Sequence, residues 1–382
     1  MPFEFATAGR IIFGAGSLQK IKPMLEKGNS RVFVVIGNSP ERAAPILEIL
    51  AELKIHHEIF RIAGEPTTDI ALDGVARARR MDATMVIGFG GGSVLDAGKV
   101  IAALLTNSGD LFDYLEVIGK GRSIDHPPAL YIAIPTTAGT GAEVTRNAVL
   151  SSPQHRVKVS MRSPLMLPAL ALIDPELTYS MPPDVTASTG LDALTQLMEA
   201  VTSRNANPLT DNICREGIQR AARALRTAYL NGQDASARED MALASLFGGM
   251  ALANAGLGAV HGFAGPLGGM FAAPHGAICA CLLPHVIEAN IRAIEARQPE
   301  SPALDRYLEL AQQLTGSARL PDLVQWLTRL CADLKIPTLS DLGMTSGDIS
   351  EVVSKSQNSS SMKGNPISLT RGELTLILEQ SI

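Results

Sequence analysis

The sequence predicts an α/β domain built on a mostly parallel sheet, residues 1–182, followed by an all-helical domain, residues 183–382. Three observations carry this reading. At 382 residues the chain exceeds one ordinary core, so two domains are expected. Up to Asp174, short β-branched apolar runs alternate with helical patterns across brief Gly/Pro punctuation, as in βαβ units. Beyond the Met-Pro-Pro-Asp stretch at Met181–Asp184, strand signals vanish.

The elements follow in order. Phe3–Phe5 and Arg10–Phe13 read as two edge strands, Arg31–Ile36 as a buried strand, and Glu41–Lys54 as the helix after it. His57–Ile62, Thr84–Phe89 and Ala129–Ile134 are further strands, with helices over Asp69–Arg80 and Ser93–Leu105. Thr145–Leu150 and Val157–Ser160 predict a hairpin around Ser151–His155, and Ala169–Asp174 is a last strand closed by Pro175. The second half reads as helices over Asp184–Ser203, Pro208–Leu230, Ala235–Leu257, Gly276–Ala296, Pro302–Thr315 and Asp322–Leu334. Asn-Pro, Asn-Gly and Pro signals separate them.

Composition excludes several classes. A hydrophobic content of 46% with 19% charged residues describes a globular chain with ample core. A net charge of −5 without a Lys/Arg cluster leaves no electrostatic footprint for nucleic acid. Four cysteines without metal-finger spacing fit reduced thiols in a cytoplasmic protein. The N-terminal stretch has Glu4 and no apolar core, so a signal peptide is not expected. Met241–Val260 is long enough to span a bilayer, but it is rich in Gly and Ala and lacks interfacial anchors at its ends. It reads as the buried central helix of the helical domain, and no membrane partner is expected.

The strongest local motif is GFGGGSVLDAGK, Gly88–Lys99, where a strand runs through Gly90, Gly91 and Gly92 into a helix starting at Ser93. Successive glycines let backbone amides approach an anion, and the helix N-terminus adds partial positive charge. A plain cap by Ser93 and Asp96 is the bland alternative, but a cap alone needs no triple glycine. The first βα turn, Gly37–Pro40, lacks the G-x-G-x-x-G fingerprint, so a diphosphate is expected on the third turn instead. Pro135–Thr145 then offers Thr136, Thr137 and Thr140 at the carboxyl end of a strand, where open α/β sheets bind ligands.

The helical half supplies a different chemistry. Val260–Gly276 holds His261 and His275 among Gly, Ala, Pro and Phe. Imidazole rings in such surroundings need a partner or a ligand. On the predicted helix Asp184–Ser203, Asp192 and Gln196 lie on one face, with Glu199 near it. Asp192 with the two histidines would make three strong ligands of mixed O/N type, suited to Fe²⁺, Zn²⁺ or a similar ion.

These motifs resemble the iron-containing (group III) alcohol dehydrogenases, in the wider superfamily of glycerol dehydrogenase, maleylacetate reductase and dehydroquinate synthase. The resemblance rests on GGGSVLDAGK, PTTAGTGAE, IDPEL, GLDALTQ and HGFAGPLG…PHG, and runs from Phe13 to Pro366. It implies the dehydroquinate synthase-like fold: a Rossmann-like nucleotide-binding domain and a helical metal domain, with the active site in the cleft between them. It further implies that Gly91, Gly92, Ser93 and Asp96, with Gly90 and Lys99, hold the pyrophosphate. Thr136, Thr137 and Thr140 would surround the nicotinamide and ribose, and Lys158 would approach the ribose. Asp192, His261 and His275 match three of the family's four metal ligands.

Two departures fall at the reaction centre and a third concerns cofactor choice. Gln196 stands where the family has its remaining histidine ligand, and Gly265 stands where a proton-relaying histidine is usual. Gln196 can ligate through its carbonyl oxygen, but more weakly than imidazole, so Fe or Zn would bind with reduced affinity. Gly37 stands where NAD-preferring members carry Asp, followed by Asn38 and Ser39. Loss of that carboxylate admits the 2′-phosphate of NADP, so NADP is favoured and NAD tolerated. The predicted enzyme passes hydride between a nicotinamide and a small aldehyde, ketone or oxoacid. Either a metal polarises the carbonyl or His261 or His275 donates to it. The alternatives are a metal-independent maleylacetate-reductase-like enzyme, a dehydroquinate-synthase-like lyase and a nucleotide-binding protein with impaired catalysis. A homo-oligomer, a dimer, is expected.

Overall fold

Strand residues of the first half divide between two cores by alternate side chains. The computed structural model describes residues 2–26 and 31–382. Its main sheet contains β1 (Ile11–Phe13), β2 (Val32–Ile36), β3 (His57–Arg61), β4 (Met85–Gly90), β5 (Leu130–Pro135) and β8 (Leu170–Ile173). The order is β1-β8-β5-β4-β2-β3, with every pair parallel. Val32, Val34 and Ile36 face one apolar cluster with Ile46, Ile49 and Leu50 of helix α1 (Ala44–Glu52). Phe33 and Val35 face the other, with Ala71 and Val75 of α2 (Thr68–Arg80) and Val100 and Ile101 of α3 (Gly92–Thr106). A sheet covered by helices on both faces explains why these strands read as continuous apolar runs.

A separate antiparallel pair, β6 (Asn147–Ser152) and β7 (Val157–Arg162), forms the expected hairpin. Phe3–Phe5 forms no strand, which corrects the first predicted edge; only Ile11–Phe13 pairs there, with β8. Phe3 is half exposed, and a three-residue apolar alternation is too short to specify pairing by itself.

The chain divides into two units, residues 6–181 and residues 182–382, the latter also taking in the N-terminal residues up to Phe5. The second unit is helical. Its principal helices are α4 (Pro183–Thr202), α5 (Pro208–Leu230), α6 (Ala235–Ala255), α7 (Ala259–Met270), α8 (His275–Arg297), α9 (Pro302–Thr315) and α10 (Leu320–Asp333). The single helix expected over Met241–Val260 is corrected: α6 ends at Ala255 and α7 leaves at a 99° bend. The break falls on Gly256–Gly258, and Gly256 takes φ +69°. His261 thus lies in the first turn of a new helix instead of after an old one. By length and composition α8 could cross a bilayer, but 78% of its apolar window is buried inside the structure, as in a core helix.

Candidate active site

The carboxyl ends of β4 and β5 bring two predicted loops together. Thr136 N donates to Gly90 O at 2.9 Å, tying the threonine loop to the glycine turn. A Cβ on Gly91 would lie 3.3 Å from the Thr137 side chain, and one on Gly92 only 2.8 Å from Thr140 Oγ1. The glycines therefore serve close approach of the two loops. Gly91 is the N-cap of α3 and makes no side-chain cap, so the alternative cap by Ser93 is not formed. The first amides of α3 keep the orientation that favours a phosphate.

The other cofactor candidates divide. Gly37, Asn38 and Ser39 follow β2 directly, with Asn38 and Ser39 exposed and Gly37 facing Val94 of the first turn of α3. Asp96 turns to β6, where Oδ2 accepts from Val149 N at 3.0 Å. Lys99 is buried and donates to Thr145 Oγ1 and Asn147 O, both at 2.7 Å. These two residues brace β6 against α3. Lys158 is paired with the Glu65 carboxylate and would have to exchange that partner to reach a ribose. One residue without a part in the sequence reading joins this group: Arg42 donates to Thr136 O at 3.4 Å, while its Nε is buried without a hydrogen-bond partner. Its position three residues past Ser39 was the available signal.

The second cluster is built on α4, α7 and α8. Asp192, Gln196 and Glu199 are all buried on α4. His275 opens α8, and a Cβ on Gly276 would lie 2.4 Å from Ser188 O, so only glycine lets α8 begin this close to α4. That contact carries His275 Nε2 to 3.9 Å from Asp192 Oδ1. His261 Nε2 lies 3.2 Å from the same oxygen, and the two imidazole rings are 5.4 Å apart. Gln196 donates through Nε2 to Asp192 Oδ2 at 3.5 Å.

Glu199 organises the cluster from behind. Its Oε2 accepts from His261 Nδ1 at 2.6 Å and its Oε1 from Val260 N at 2.7 Å. With a proton on Nδ1 toward Glu199, His261 presents its Nε2 to Asp192. Cys279, one turn after His275, places Sγ 3.7 Å from His275 Nε2 and 3.8 Å from His261 Nε2. Sequence reading gave it no part, although the i, i+4 spacing to His275 was visible.

Electrostatics fit a cation at this point. Burial works against a charged His261, yet Cys279, Asp192 and Glu199 around it hold its pKa well above the ordinary histidine value. Burial alone would raise the Asp192 carboxyl, but contact with His261 and the charge of His275 hold it below the usual range. Burial pushes the Cys279 thiol up to about 12. Asp192 Oδ1 is buried and has no hydrogen-bond partner. One ligand atom from each of Asp192, His261, His275 and Cys279 lies within 4.8 Å of all the others. A buried carboxylate oxygen left unsatisfied beside two imidazoles is what a divalent ion would complete.

Comparison with known proteins agrees with this chemistry. The family model for iron-containing alcohol dehydrogenase matches residues 8–175, and that for the Fe-containing alcohol dehydrogenase family, C-terminal, matches 186–382. A 1,3-propanediol dehydrogenase of Klebsiella pneumoniae is 37% identical over 340 residues, covering 88% of this chain and 86% of its own. Alcohol dehydrogenase 4 of Saccharomyces cerevisiae is 32% identical over 378 residues, 97% of this chain and 96% of its own. The crystal structure of a 1,3-propanediol oxidoreductase, 32% identical, superposes with a TM-score of 0.91 and full coverage of both chains. That of a sulfoacetaldehyde reductase from Bifidobacterium kashiwanohense in complex with NAD⁺, 25% identical, has a TM-score of 0.88 and covers 100% of this chain and 99% of its own. The chain belongs to the iron-containing alcohol dehydrogenase family and is an oxidoreductase acting on CH–OH groups.

Proposed function

We propose that this alcohol dehydrogenase interconverts small alcohols with aldehydes, ketones or oxoacids, using NADP(H) in preference to NAD(H). The observation that carries the reading is the convergence of Asp192, His261 and His275 on one buried point. Bound there, a divalent cation supplies Lewis-acid polarisation of the substrate oxygen. Asp192 and the two imidazoles would hold it, and Glu199 would keep His261 in the ligating tautomer. Among the relatives are a 1,3-propanediol dehydrogenase, a sulfoacetaldehyde reductase and a long-chain-alcohol dehydrogenase, so an alcohol or aldehyde is the shared substrate chemistry and its size is left to the substrate panel.

Gly91, Gly92 and Ser93 would receive the pyrophosphate on backbone amides, with Thr136, Thr137 and Thr140 beside the ribose and nicotinamide. NADP preference is supported by the absence of a carboxylate at Gly37–Ser39 and by the nearby Arg42 guanidinium. A bound nicotinamide would supply hydride chemistry, and no histidine stands at position 265 to carry the accompanying proton. A Cβ on Gly265 would meet nothing within 4 Å, so the space a histidine would take there is open to water.

The test is oxidation of NADPH and NADH with a panel of short aldehydes and oxoacids, before and after metal stripping. Expected are turnover with NADPH and loss of turnover on stripping, restored by Fe²⁺ or Zn²⁺. Undiminished turnover in fully stripped protein would overturn the Lewis-acid part and move the enzyme to the metal-independent reductases. Gln196 in place of the family histidine is the residue that favours this second reading.

A further inference from the structure

Cys279 lies inside the cluster and not at its margin. The thiol is fully buried, four residues beyond His275 on α8, and its Sγ approaches both imidazole Nε2 atoms at 3.7 and 3.8 Å. Around a tetrahedral zinc, ligand bond lengths of about 2.0–2.3 Å put neighbouring N, O and S ligand atoms roughly 3.3–3.6 Å apart. The measured separations, 3.2 and 3.9 Å from Asp192 Oδ1 to the imidazoles and 3.7–3.8 Å from Sγ, bracket that range. Asp192 Oδ1, buried and without a hydrogen-bond partner, is the independent sign that the cluster awaits a cation.

We propose that Cys279 is a ligand of the catalytic cation, so that the protein holds it with Asp192, His261, His275 and a thiolate. This rests on the metal reading above. Position 196 offers a glutamine whose amide N–H leans on Asp192 Oδ2. In the ligand set, the sulfur of Cys279 replaces the nitrogen that a histidine at 196 would provide. The thiol gives its proton to solvent as the cation binds, and the resulting O, N, N, S set is softer than one of oxygen and imidazoles alone. Such a set favours Zn²⁺ over harder ions.

The experiment uses the full chain, metal-stripped and reloaded with Zn²⁺ or Co²⁺, and needs no turnover. X-ray absorption of the Zn²⁺ form is expected to show one sulfur at about 2.3 Å beside N/O ligands at about 2.0–2.1 Å. The Co²⁺ form is expected to show a near-ultraviolet sulfur-to-cobalt charge-transfer band that is lost in Cys279→Ser and Cys279→Ala and kept in Cys281→Ser. Zn²⁺ affinity, read by chelator competition, should fall about 10- to 100-fold in Cys279→Ser, at least as much as when a supporting outer-shell partner is lost. A Zn²⁺ site without sulfur overturns the proposal, and this measurement on the unmodified chain stands even if a variant fails to fold. An unchanged band or affinity in Cys279→Ser, with binding abolished in Asp192→Asn, overturns the thiolate while leaving the metal reading intact. Failure of the unmodified chain to bind Zn²⁺ or Co²⁺ overturns both.

Discussion

His261 Nδ1 lies 2.6 Å from Glu199 Oε2, and the other oxygen of the same carboxylate holds the amide of Val260 at the start of α7. One side chain on α4 thereby fixes the position of α7 and the ring orientation and tautomer of its histidine. Glu199→Gln keeps an acceptor but removes the charge that stabilises Nδ1–H. Metal affinity should fall about 10- to 100-fold with the fold retained. Equal Zn²⁺ affinities for the two proteins in chelator competition would show that Glu199 serves α7 alone.

Gln196→His adds an imidazole beside Asp192. In the Cys279→Ser background, where sulfur no longer fills that ligand position, affinity for Zn²⁺ is expected to rise about ten-fold, equivalent to about 1.4 kcal/mol. The same chelator assay decides it: no gain would mean that side chains at 196 do not reach the ion.

Gly37→Asp puts a carboxylate at the end of β2, next to exposed Asn38 and Ser39. It should repel the 2′-phosphate and move the ratio of kcat/KM for NADPH over NADH toward NADH by roughly ten-fold, one interaction of about 1.4 kcal/mol. Arg42→Ala should weaken NADPH more than NADH. Ratios that stay put in both variants would refute the cofactor assignment.

Gly265→His should be accommodated, because a Cβ there meets nothing within 4 Å. The new imidazole introduces a group titrating at about 6.5, so the pH profile of kcat should acquire a limb in that region. A profile identical to that of the unmodified enzyme would mean that residue 265 does not communicate with the proton path.

Glu143, buried beside Lys99, has its carboxyl pushed up from 4.5 to about 7, chiefly by burial. A carboxyl raised in the folded state binds its proton more tightly there than in the unfolded chain. Its stabilising contribution is therefore full below about pH 4.5 and is lost as pH rises to about 7. Glu143→Gln, which keeps the neutral shape, should match the unmodified protein near pH 4.5. Above pH 7 it should be the more stable of the two, by roughly 3 kcal/mol. Denaturant midpoints at pH 5 and pH 8 test this; a difference that does not grow with pH would refute it.

Much of the architecture was legible because local signals agreed with the tertiary outcome. Pro208–Leu230 and Pro302–Thr315 begin at proline behind a capping Asn207 or Ser301, and both helices occur with those bounds. The strands around Val34, Ile87 and Ile132 were continuous apolar runs because both faces of the sheet are covered. The helix bearing His261 was not legible. Gly262, Gly265 and Pro266 are poor helix formers, and packing of α7 against its neighbours overrides them.

The sequence by itself determined which residue types gather in each unit: a triple-glycine turn with a threonine loop in the first, one aspartate with two histidines in the second. It did so because clustered glycines at a strand end and polar groups in apolar runs that need partners are visible as types. Which atoms converge was decided only by the tertiary structure. Asp96 and Lys99 turned to brace β6, Glu199 and Arg42 gained roles, and Cys279 came within 4 Å of both imidazoles. The reason is geometric: contacts between α4, α7 and α8 depend on helix approach, set here by a glycine against Ser188 O, and no spacing along one chain encodes it.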